Sequence, residues 1–329
     1  MTKVLVTGAS GFVGAALCGR LTATGYAVRA AVRTLPVTAA GLRGVDSVGV
    51  GRIDGTTAWD DALRNVNAVV HLAARVHVIY ETCPTPLAEF RRTNLEGTER
   101  LARQAAEAGV KRLIYLSSIK VNGETSGERP FTAEDSPALE DPYAISKWEA
   151  EQALLELSKE TGLEVVIVRP PLVYGPHVKG NFLRLLRLVD SGLPLPLGTL
   201  NNRRSMVGVD NLCDLLRVSL EHPAAANQRL LVSDGEDLST SELLLRLAAA
   251  MNRPLRLLPA PRALLRMAAV VAGKSAEVNR LCGTLQVDMT KTERVLGWRP
   301  PFSVADGLQS TVDWYLSQRR EPGGGDQNR

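Results

Sequence analysis

The chain has 329 residues, the length of one large domain or of two ordinary ones. Hydrophobic residues make up 45% and charged residues 22% of it, so a collagen-like, coiled-coil or disordered chain is disfavoured. Thirty-nine basic residues against 35 acidic ones give a net charge of +4. Because this excess is small and the basic residues are scattered, we expect no nucleic-acid partner.

Cysteine, histidine and hydropathy patterns give three further expectations. The four cysteines (18, 83, 213 and 282) form no Cys-x-x-Cys motif and the histidines form no ligand pair, so we expect no metal and separate thiols in a reducing compartment. The N-terminus lacks the pattern of a signal peptide. The longest apolar stretch, residues 263–273, contains Arg266 and is far shorter than the roughly 20 residues of a membrane span. The expected location is the cytoplasm.

Over the first 170 residues, short aliphatic runs alternate with helical patterns. Strands are predicted at 4–6, 27–32, 68–72, 113–116 and 165–168, and helices at 12–25, 86–108 and 141–161. This alternation, with nearly continuous apolar strands, predicts an α/β fold. We expect a Rossmann doubly wound parallel sheet with helices on both faces.

After residue 171, prolines and glycines become frequent and the pattern turns mostly helical. Helices are predicted at about 181–191, 209–221, 239–250, 261–272, 291–296 and 303–318, and short strands near 205–208 and 229–232 are expected to return to the main sheet. We assign residues 1–170 plus about 205–232 to a dinucleotide-binding domain. A smaller, mostly helical C-terminal substrate lobe takes about 171–204 and 233–318, and residues 319–329 are predicted to be a disordered tail.

A glycine-rich run, residues 7–14, follows the first predicted strand and opens the first helix. Gly8, Gly11 and Gly14 permit a sharp turn and a close approach of the backbone to a pyrophosphate. The helix N-terminus offers unpaired N–H groups and a favourable dipole to the same phosphates. Since the run lies between a strand and a helix, it predicts a dinucleotide site.

The end of the second strand selects between the two nicotinamide cofactors. An acidic side chain there would bind the ribose 2′-hydroxyl of NAD, but residues 29–34 contain no acid. Arg33 can instead pair with the 2′-phosphate of NADP, unless it is an ordinary surface residue. NADP, as NADPH, is therefore the predicted cofactor and NAD the alternative. Asp54, after the next strand, is expected to contact the adenine.

A tyrosine and a lysine lie four residues apart, at Tyr143 and Lys147, on one face of a predicted helix. A free tyrosine has a pKa near about 10, and a nearby ammonium lowers that pKa. We expect Tyr143 to exchange the proton, and Lys147 to tune that pKa and hold the nicotinamide ribose. Ser117 and Ser118 end the preceding strand, where ligands of α/β sheets bind. Ser118 is therefore expected to hydrogen-bond the reacting oxygen; for each serine, an ordinary strand-end cap is the alternative.

Six motifs occur in order along the chain: residues 7–14 (TGASGFVG), 71–74 (HLAA), 94–98 (NLEGT), 116–118 (LSS), 143–147 (YAISK) and 169–176 (RPPLVYGP). Together they resemble the extended short-chain dehydrogenase/reductase family of nucleotide-sugar enzymes, from about residue 3 to about 318. By this resemblance Ser118, Tyr143 and Lys147 are the catalytic triad and Asn94 lies behind the site. The residues assigned to the cofactor are Gly8, Ser10, Gly11, Phe12, Val13, Arg33, Asp54, Leu72, Ala73, Ala74, Ser117, Tyr143, Lys147 and Pro170.

The second half resembles the sugar-nucleotide lobe of that family. Asn181 and Arg204 match positions that contact the nucleotide diphosphate. The usual second diphosphate arginine, in an Arg-x-Gly-Asp pattern, is absent, and Arg280 is the substitute candidate. Lys120 and Asn122, shortly after Ser118, are also assigned to the substrate, as are Ser118 and Tyr143 themselves.

Three nucleotide-sugar chemistries share this triad in the family. A 4,6-dehydratase carries an Asp-Glu pair directly after the first catalytic residue, whereas Ile119 and Lys120 follow Ser118 here. A 4-epimerase usually holds NAD tightly, and the acid that would fit that role is missing from the second strand. A net reductase consumes NADPH, which agrees with Arg33.

Residues 117–124 (SSIKVNGE) resemble bacterial 4-reductases of UDP-4-keto-6-deoxy-N-acetylhexosamines, as in O-antigen synthesis for lipopolysaccharide. This resemblance implies NADPH-dependent reduction of UDP-2-acetamido-2,6-dideoxy-4-hexulose to UDP-N-acetylquinovosamine or UDP-N-acetylfucosamine. One alternative is a UDP-hexose or UDP-N-acetylhexosamine 4-epimerase with bound NAD, and another is a non-catalytic NADP-binding sensor. The expected partner is a nucleotide sugar. Related enzymes commonly form homodimers through the helices at 86–108 and 141–161, whose apolar faces could equally be core.

Overall fold

Seven parallel strands form the central sheet, and two more form a small separate one. In chain order the strands are β1 (Lys3–Thr7), β2 (Ala27–Val32), β3 (Asp46–Gly49), β4 (Ala68–His71), β5 (Arg112–Leu116), β6 (Glu164–Arg169), β7 (Leu172–Tyr174), β8 (Met206–Gly208) and β9 (Arg229–Leu231). The central sheet has the order β3-β2-β1-β4-β5-β6-β9, and β7 pairs with β8. This is the Rossmann-type parallel sheet that the sequence predicted, and it carries one added edge strand.

The structure is a computed structural model and describes residues 1–36, 42, 44–76, 85–261, 267, 270 and 281–320. Its α-helices are α1 (Phe12–Ala23), α2 (Asp60–Leu63), α3 (Pro86–Arg91), α4 (Gly97–Glu107), α5 (Pro142–Thr161), α6 (Gly180–Asp190), α7 (Val209–Glu221), α8 (Thr240–Ala250), α9 (Thr290–Leu296) and α10 (Val304–Arg320). Arg280, Cys83, most of the helix predicted at 261–272 and residues 321–329 of the predicted tail lie outside the described residues. In the described part of the chain, no helix is long and apolar enough to cross a membrane.

Apolar side chains on both faces of the sheet explain why its central strands read as continuous aliphatic runs. On one face, α1 and α7 bury Leu17 and Leu212 against the strands. On the other face, α4 and α5 bury Leu101 and Leu154. Each such side chain contributes about 1.5–3 kcal/mol when it is fully buried. The sheet is therefore held between two helical layers.

The C-terminal lobe has a core of its own. Phe182 of α6, Leu244 of α8 and Leu308 of α10 are buried together in it. The ring of Tyr174, at the end of β7, stacks on Phe182 with 5.3 Å between the ring centroids. Its hydroxyl donates a hydrogen bond to Asp234 at 2.7 Å. Tyr174 thereby joins the lobe to the segment that follows β9.

The structure corrects the predicted course of two segments. The strand predicted near 205–208 does not return to the main sheet, because β9 already occupies the edge beside β6 and β8 pairs with β7 instead. The strand predicted near 229–232 does join the sheet, as β9. The predicted lobe segment 233–318 is interrupted, since Leu296 and Trp298 pack in the core beneath α1 and α7. The Trp298 indole donates to Asp214 of α7 at 3.0 Å, which holds this segment there.

Two predicted helices also differ in extent. The helix predicted at 86–108 is three pieces, because a π-helical turn at Arg92–Glu96 separates α3 from α4. The C-terminal helix continues to Arg320, two residues into the predicted tail. An ion pair between Arg319 and Asp190 of α6 holds that last turn against the lobe.

A buried histidine links the first strand to the fourth. His71 ends β4 and is fully buried; its Nδ1 hydrogen-bonds the Thr7 hydroxyl at 2.6 Å and its Nε2 the Thr98 hydroxyl at 2.9 Å. The backbone N–H groups of Leu72 and Ala73 donate to the same Thr7 oxygen, at 3.2 Å each. Burial, and secondarily the Lys147 ammonium, lowers the pKa of His71 to about 3. His71 is therefore a neutral structural residue that fixes the loop after β4.

The depressed pKa of His71 predicts a loss of stability in mild acid. An unfolded histidine binds a proton near about pH 6.5, whereas folded His71 does so only at about 3. Between those values the unfolded state binds more protons. This group therefore lowers the free energy of unfolding by about 1.4 kcal/mol for each unit by which the pH is lowered. Urea unfolding near about pH 7, 6 and 5 measures the slope.

The matched variants for this measurement are His71→Gln and His177→Asn. His71→Gln should flatten the slope relative to the unmodified protein, while His177→Asn, at an exposed histidine, should leave it unchanged. Acidic groups contribute equally in all three proteins, so the difference isolates His71. Equal slopes for His71→Gln and the unmodified chain would contradict the prediction.

Candidate active site

The glycine-rich loop after β1 leaves no room for side chains at two of its glycines. The N–H of Gly11 donates to the Gly8 carbonyl at 2.9 Å, and Gly8 has a φ of +65°. A Cβ at Gly8 would lie 2.8 Å from the Ala73 nitrogen, and one at Gly14 would lie 2.2 Å from the Gly8 carbonyl oxygen. Neither position therefore accepts a side chain without moving the loop.

Helix α1 begins directly after this loop with its N-terminus open. Gly11 is the N-cap, no side chain caps the first turn, and the turn holds no acidic residue. Ser10 and Gly11 are exposed, and Phe12 and Val13 are half-buried. The first-turn N–H groups and the helix dipole are thus available to an anion. These features fit the pyrophosphate of a dinucleotide.

The loop after β4 lies against the glycine loop, as the short distance between Gly8 and Ala73 shows. Asn94, buried in the π-helical turn, accepts from the Arg75 N–H at 2.8 Å and donates to the Arg75 carbonyl at 3.0 Å. Its amide also donates to the Ser146 hydroxyl at 3.0 Å. Arg75, the residue after this loop, is thereby tied to α5, and a place of Asn94 behind the site stays a prediction.

Arg33 and Asp54 lie at the outer part of the same sheet edge. Arg33 directly follows β2 and is exposed. Asp54 accepts at Oδ1 from the Thr56 N–H at 2.9 Å and from the Thr56 hydroxyl at 2.7 Å. These bonds, first the one from the hydroxyl, lower the pKa of Asp54. Arg33 therefore presents a guanidinium at this edge, while one carboxylate oxygen of Asp54 is used within its own turn.

Tyr143 lies in the first turn of α5, which starts at a well-defined N-cap. Asp141 is that cap and accepts from the Ala144 N–H at 2.7 Å, and Pro142 follows it. The ring of Tyr143 meets Phe90 edge-on with 6.1 Å between the centroids. Burial, with a contribution from Asp141, raises the pKa of Tyr143 to about 12, and the neighbouring Ser118 side chain opposes the rise.

Lys147 lies one turn further along α5 and is almost fully buried. Its Nζ donates to the Leu116 carbonyl at 2.7 Å and lies 4.2 Å from the centroid of the Tyr115 ring. Burial lowers the pKa of Lys147 to about 7, against the opposing effect of Glu151. The structure thus brings Ser118, Tyr143 and Lys147 together beyond the end of β5.

The expected lowering of the Tyr143 pKa by Lys147 is wrong for the protein as described. The pKa of Tyr143 is raised, and Lys147 is not among the groups that shift it. The physical reason is that the Lys147 ammonium is bound to the Leu116 carbonyl and is itself driven toward its neutral form by burial.

Ser117 and Asn122 have internal partners rather than open hydrogen-bonding groups. The Ser117 hydroxyl donates to the buried Glu151 at 2.5 Å, so its side chain does not face a cofactor. Asn122 is buried, donates to the Thr132 carbonyl at 2.8 Å and accepts from Arg169 at 3.0 Å. The predicted substrate contact of the Asn122 side chain is therefore corrected, because its amide joins two parts of the protein. Pro170, also buried, accepts from the Ile119 N–H at 3.0 Å.

The remaining substrate candidates lie at the rim of the site and in the lobe. The Lys120 ammonium pairs with Asp141 and with Glu124, at 2.6 Å each. Asn181 is exposed in the first turn of α6. Arg204 is half-buried and donates to the Gly283 carbonyl at 3.1 Å. For Asn181 and Arg204 the assigned diphosphate contacts stay predictions.

Sequence reasoning missed two groups that shape the site. Glu151 binds Ser117 and Arg169, and Phe90 packs on Tyr143. The signal for Glu151 was an acidic residue four positions after Lys147, on the face that α5 buries. Phe90 gave no comparable signal, because its contact with Tyr143 depends on how α3 packs on α5.

The loop geometry predicts that Gly14→Ala lowers the affinity for NADPH at least about tenfold, since the new Cβ must displace the Gly8 carbonyl. Fluorescence titration measures the affinity. Gly19→Ala, on the same helix with nothing within 4 Å of the new Cβ, is the matched control and should bind normally. Its helix should gain up to about 1 kcal/mol. Normal NADPH affinity in Gly14→Ala would contradict the assignment of the loop to the pyrophosphate.

Known proteins agree with this architecture over nearly the whole chain. A UDP-glucose 4-epimerase of Vibrio cholerae is 46% identical over 317 residues, which cover 95% of this chain and 95% of the relative. The crystal structure of DesIV, a dTDP-glucose 4,6-dehydratase of Streptomyces venezuelae with NAD and TYD bound, is 29% identical, with a TM-score of 0.76 over 97% of this chain and 98% of that one.

A more distant structure shares the fold. UDP-glucuronic acid 4-epimerase of Bacillus cereus, in complex with NAD, has a TM-score of 0.77 at 20% identity, over 96% of this chain and 99% of that one. Residues 4–233 match the model of the NAD dependent epimerase/dehydratase family. The chain therefore belongs to the NAD dependent epimerase/dehydratase family, within the extended short-chain dehydrogenases/reductases that its motifs resemble.

Proposed function

We propose that the protein is an NADPH-dependent 4-ketoreductase of a nucleotide-linked 4-keto-6-deoxy sugar. The proposed substrate is UDP-2-acetamido-2,6-dideoxy-4-hexulose, and the product is UDP-N-acetylquinovosamine or UDP-N-acetylfucosamine. The observation that carries this choice is Arg33, an exposed guanidinium directly after β2 on a strand end without a carboxylate. Such an end suits a 2′-phosphate, and NADPH is the nicotinamide cofactor that serves as a reductant in biosynthesis.

The described residues fit this cofactor at several points. The glycine backbone of the loop after β1 and the open end of α1 would hold the pyrophosphate, and Arg33 the 2′-phosphate. Lys147, at the triad, would hold the nicotinamide ribose. When bound, the cofactor supplies hydride to C4 of the sugar.

Tyr143 is the proposed proton donor. As C4 gains hydride, the C=O π pair moves onto oxygen, and the Tyr143 hydroxyl proton transfers to that oxygen, which becomes the product hydroxyl. A pKa of about 12 keeps Tyr143 protonated at neutral pH, the form that a donor needs. Ser118, whose side chain lowers the pKa of Tyr143, would donate to the same oxygen while negative charge develops there. Lys147 does not shift the pKa of Tyr143 in the protein as described; as an ammonium it would donate to the hydroxyls of the nicotinamide ribose.

The surroundings of Ser118 disfavour dehydration. Elimination of water across C5 and C6 needs a free acid and base, and the residues after Ser118 are Ile119 and Lys120. Two carboxylates of this region, Asp141 and Glu124, both pair with the Lys120 ammonium. These ion pairs occupy the two carboxylates.

A 4-epimerase is the second candidate, favoured by the 46% identity with the Vibrio cholerae UDP-glucose 4-epimerase. Epimerisation begins with oxidation, so Tyr143 would first have to accept a proton as a phenolate. A pKa of about 12 makes that form rare at neutral pH in the protein as described. A non-catalytic NADP sensor is a weaker candidate, because it would need none of the three triad residues.

The reaction itself predicts stoichiometric loss of NADPH absorbance when enzyme meets UDP-2-acetamido-2,6-dideoxy-4-hexulose, made in situ by a 4,6-dehydratase. NMR of the product would then give the C4 configuration. If NADPH is not consumed, and UDP-N-acetylglucosamine and UDP-N-acetylgalactosamine interconvert without added cofactor, the protein is a 4-epimerase. Binding of NADPH with neither reaction would indicate the sensor.

A matched pair of tyrosine variants controls this assay. Tyr143→Phe should lose about 10²–10⁴-fold in turnover, since it removes the proton donor, while NADPH affinity stays close to normal. Tyr26→Phe, in the turn before β2 at the opposite end of the sheet, should be fully active. Near-normal turnover in Tyr143→Phe would remove Tyr143 from the chemistry.

Cofactor preference tests Arg33 separately. Arg33→Asp should reduce the preference for NADPH over NADH by about 10–100-fold, because a charged hydrogen bond of about 1.5–3 kcal/mol is replaced by repulsion. Arg64→Asp makes the same change of charge at an exposed site after α2 and should leave the ratio unaltered. The ratio of kcat/KM values measures the preference. An unchanged ratio in Arg33→Asp would mean that Arg33 is an ordinary surface residue with no role in cofactor choice.

A further inference from the structure

Glu151 is a fully buried carboxylate behind the triad, one helical turn after Lys147. One of its oxygens, Oε1, accepts from the Ser117 hydroxyl at 2.5 Å and from Arg169 Nε at 2.9 Å. The other, Oε2, accepts from Arg169 Nη2 at 2.5 Å. The Arg169 side chain is 1% exposed, so the whole cluster is out of water.

This carboxylate joins the three elements that carry the site. It lies on α5, with Tyr143 and Lys147; Ser117 directly precedes Ser118 at the end of β5; and Arg169 ends β6. The Lys147 ammonium donates a hydrogen bond to the neighbouring Leu116 carbonyl at 2.7 Å. The backbone from 116 to 118 is therefore held to α5 at two successive turns of the helix.

Stability alone does not explain a buried ion pair. Desolvation of two charges largely cancels their attraction, and apolar replacements of similar volume are often as stable. What a bidentate Arg–carboxylate pair does supply is geometric specificity. Arg169 also donates to Asn122 at 3.0 Å, which fixes the turn after Ser118. The cluster thus sets positions around Ser118 on both sides.

We propose that Glu151 is a positioning residue, whose carboxylate fixes the strand end bearing Ser118 against the helix bearing Tyr143 and Lys147. It touches neither substrate nor cofactor and acts through Ser117 and Arg169. The proposal rests on the triad assigned above, but it holds equally for reduction and for epimerisation.

A second effect follows from the charge of Glu151. It opposes the lowering of the Lys147 pKa by burial. Around the carboxylate lie the cations Arg169, Lys147 and, with its Nε 3.9 Å away, Arg229. Removal of the negative charge would therefore deprotonate Lys147 at lower pH, and the alkaline fall of activity would move to lower pH as well.

Glu151→Gln tests the proposal, because it keeps the shape and removes the charge. Hydrogen–deuterium exchange should accelerate at least about tenfold over residues 116–122, whereas β1 is unchanged. The kcat should fall about 10–100-fold with the NADPH affinity within about twofold, and the alkaline limb should shift to lower pH. Glu149→Gln, which also removes a carboxylate paired with an arginine on α5, should change none of these.

Ser117→Ala is the second variant, which leaves the Glu151–Arg169 pair intact and removes only the bond to the strand end. It should accelerate exchange over the same residues and lower kcat about 3–10-fold, with an unshifted pH profile. Normal exchange and kcat in folded Glu151→Gln would overturn the proposal; if that variant does not fold, the same result in Ser117→Ala would. Since exchange needs no substrate, failure of the proposed reaction is seen separately, as inactivity of the unmodified enzyme.

Discussion

The parallel direction of the strands is the constraint on which the site depends. Because all carboxyl ends meet at one edge, loops far apart in sequence become neighbours there. Gly8 follows β1 and Ala73 follows β4, yet a single Cβ added to Gly8 would reach 2.8 Å from the Ala73 nitrogen. Ser118 after β5 and Pro170 after β6 continue the same edge. Two sets of hydrogen bonds hold this edge in register. The loop after β4 donates to the Thr7 hydroxyl, and the loop after β5 donates to the Pro170 carbonyl.

Burial then gives the triad its electrostatic character. The pKa of Tyr143 rises and that of Lys147 falls, and the first cause of both shifts is desolvation. Each shift favours the neutral side chain, so the site is poor in charge at the point where a sugar oxygen would react. Glu151 works against this tendency for Lys147, and Ser118 works against it for Tyr143. In both groups these opposing effects are smaller than that of desolvation.

Local pattern predicted most of the sheet and placed Tyr143 and Lys147 on one helix, because strand alternation and four-residue helical spacing are properties of short stretches. Pairing was harder to predict. The segment near 205–208 reads as a strand, but only the structure shows that β9 has taken the edge it would need. The π-helical turn could not be predicted from local pattern either. It holds Asn94, whose side chain binds both Arg75 and Ser146, and these residues are distant in sequence. Ser117 and Asn122 were assigned to the site because they lie close to Ser118 in the sequence. Their side chains turn inward to Glu151 and Arg169, which are distant in sequence.

The triad does not itself choose between reduction and epimerisation, since both reactions move hydride and one proton at C4. The choice must come from groups around it. Arg33 bears on which cofactor binds, the pairing of Lys120 with Asp141 and Glu124 removes the carboxylates that dehydration would use, and Asp141 helps to keep Tyr143 protonated. The first feature bears on the cofactor, the second on dehydration and the third on the protonation of Tyr143, and the proposed reduction agrees with all three. High identity to a UDP-glucose 4-epimerase shows a shared fold, and the groups around the proposed triad are where a reductase and an epimerase would differ.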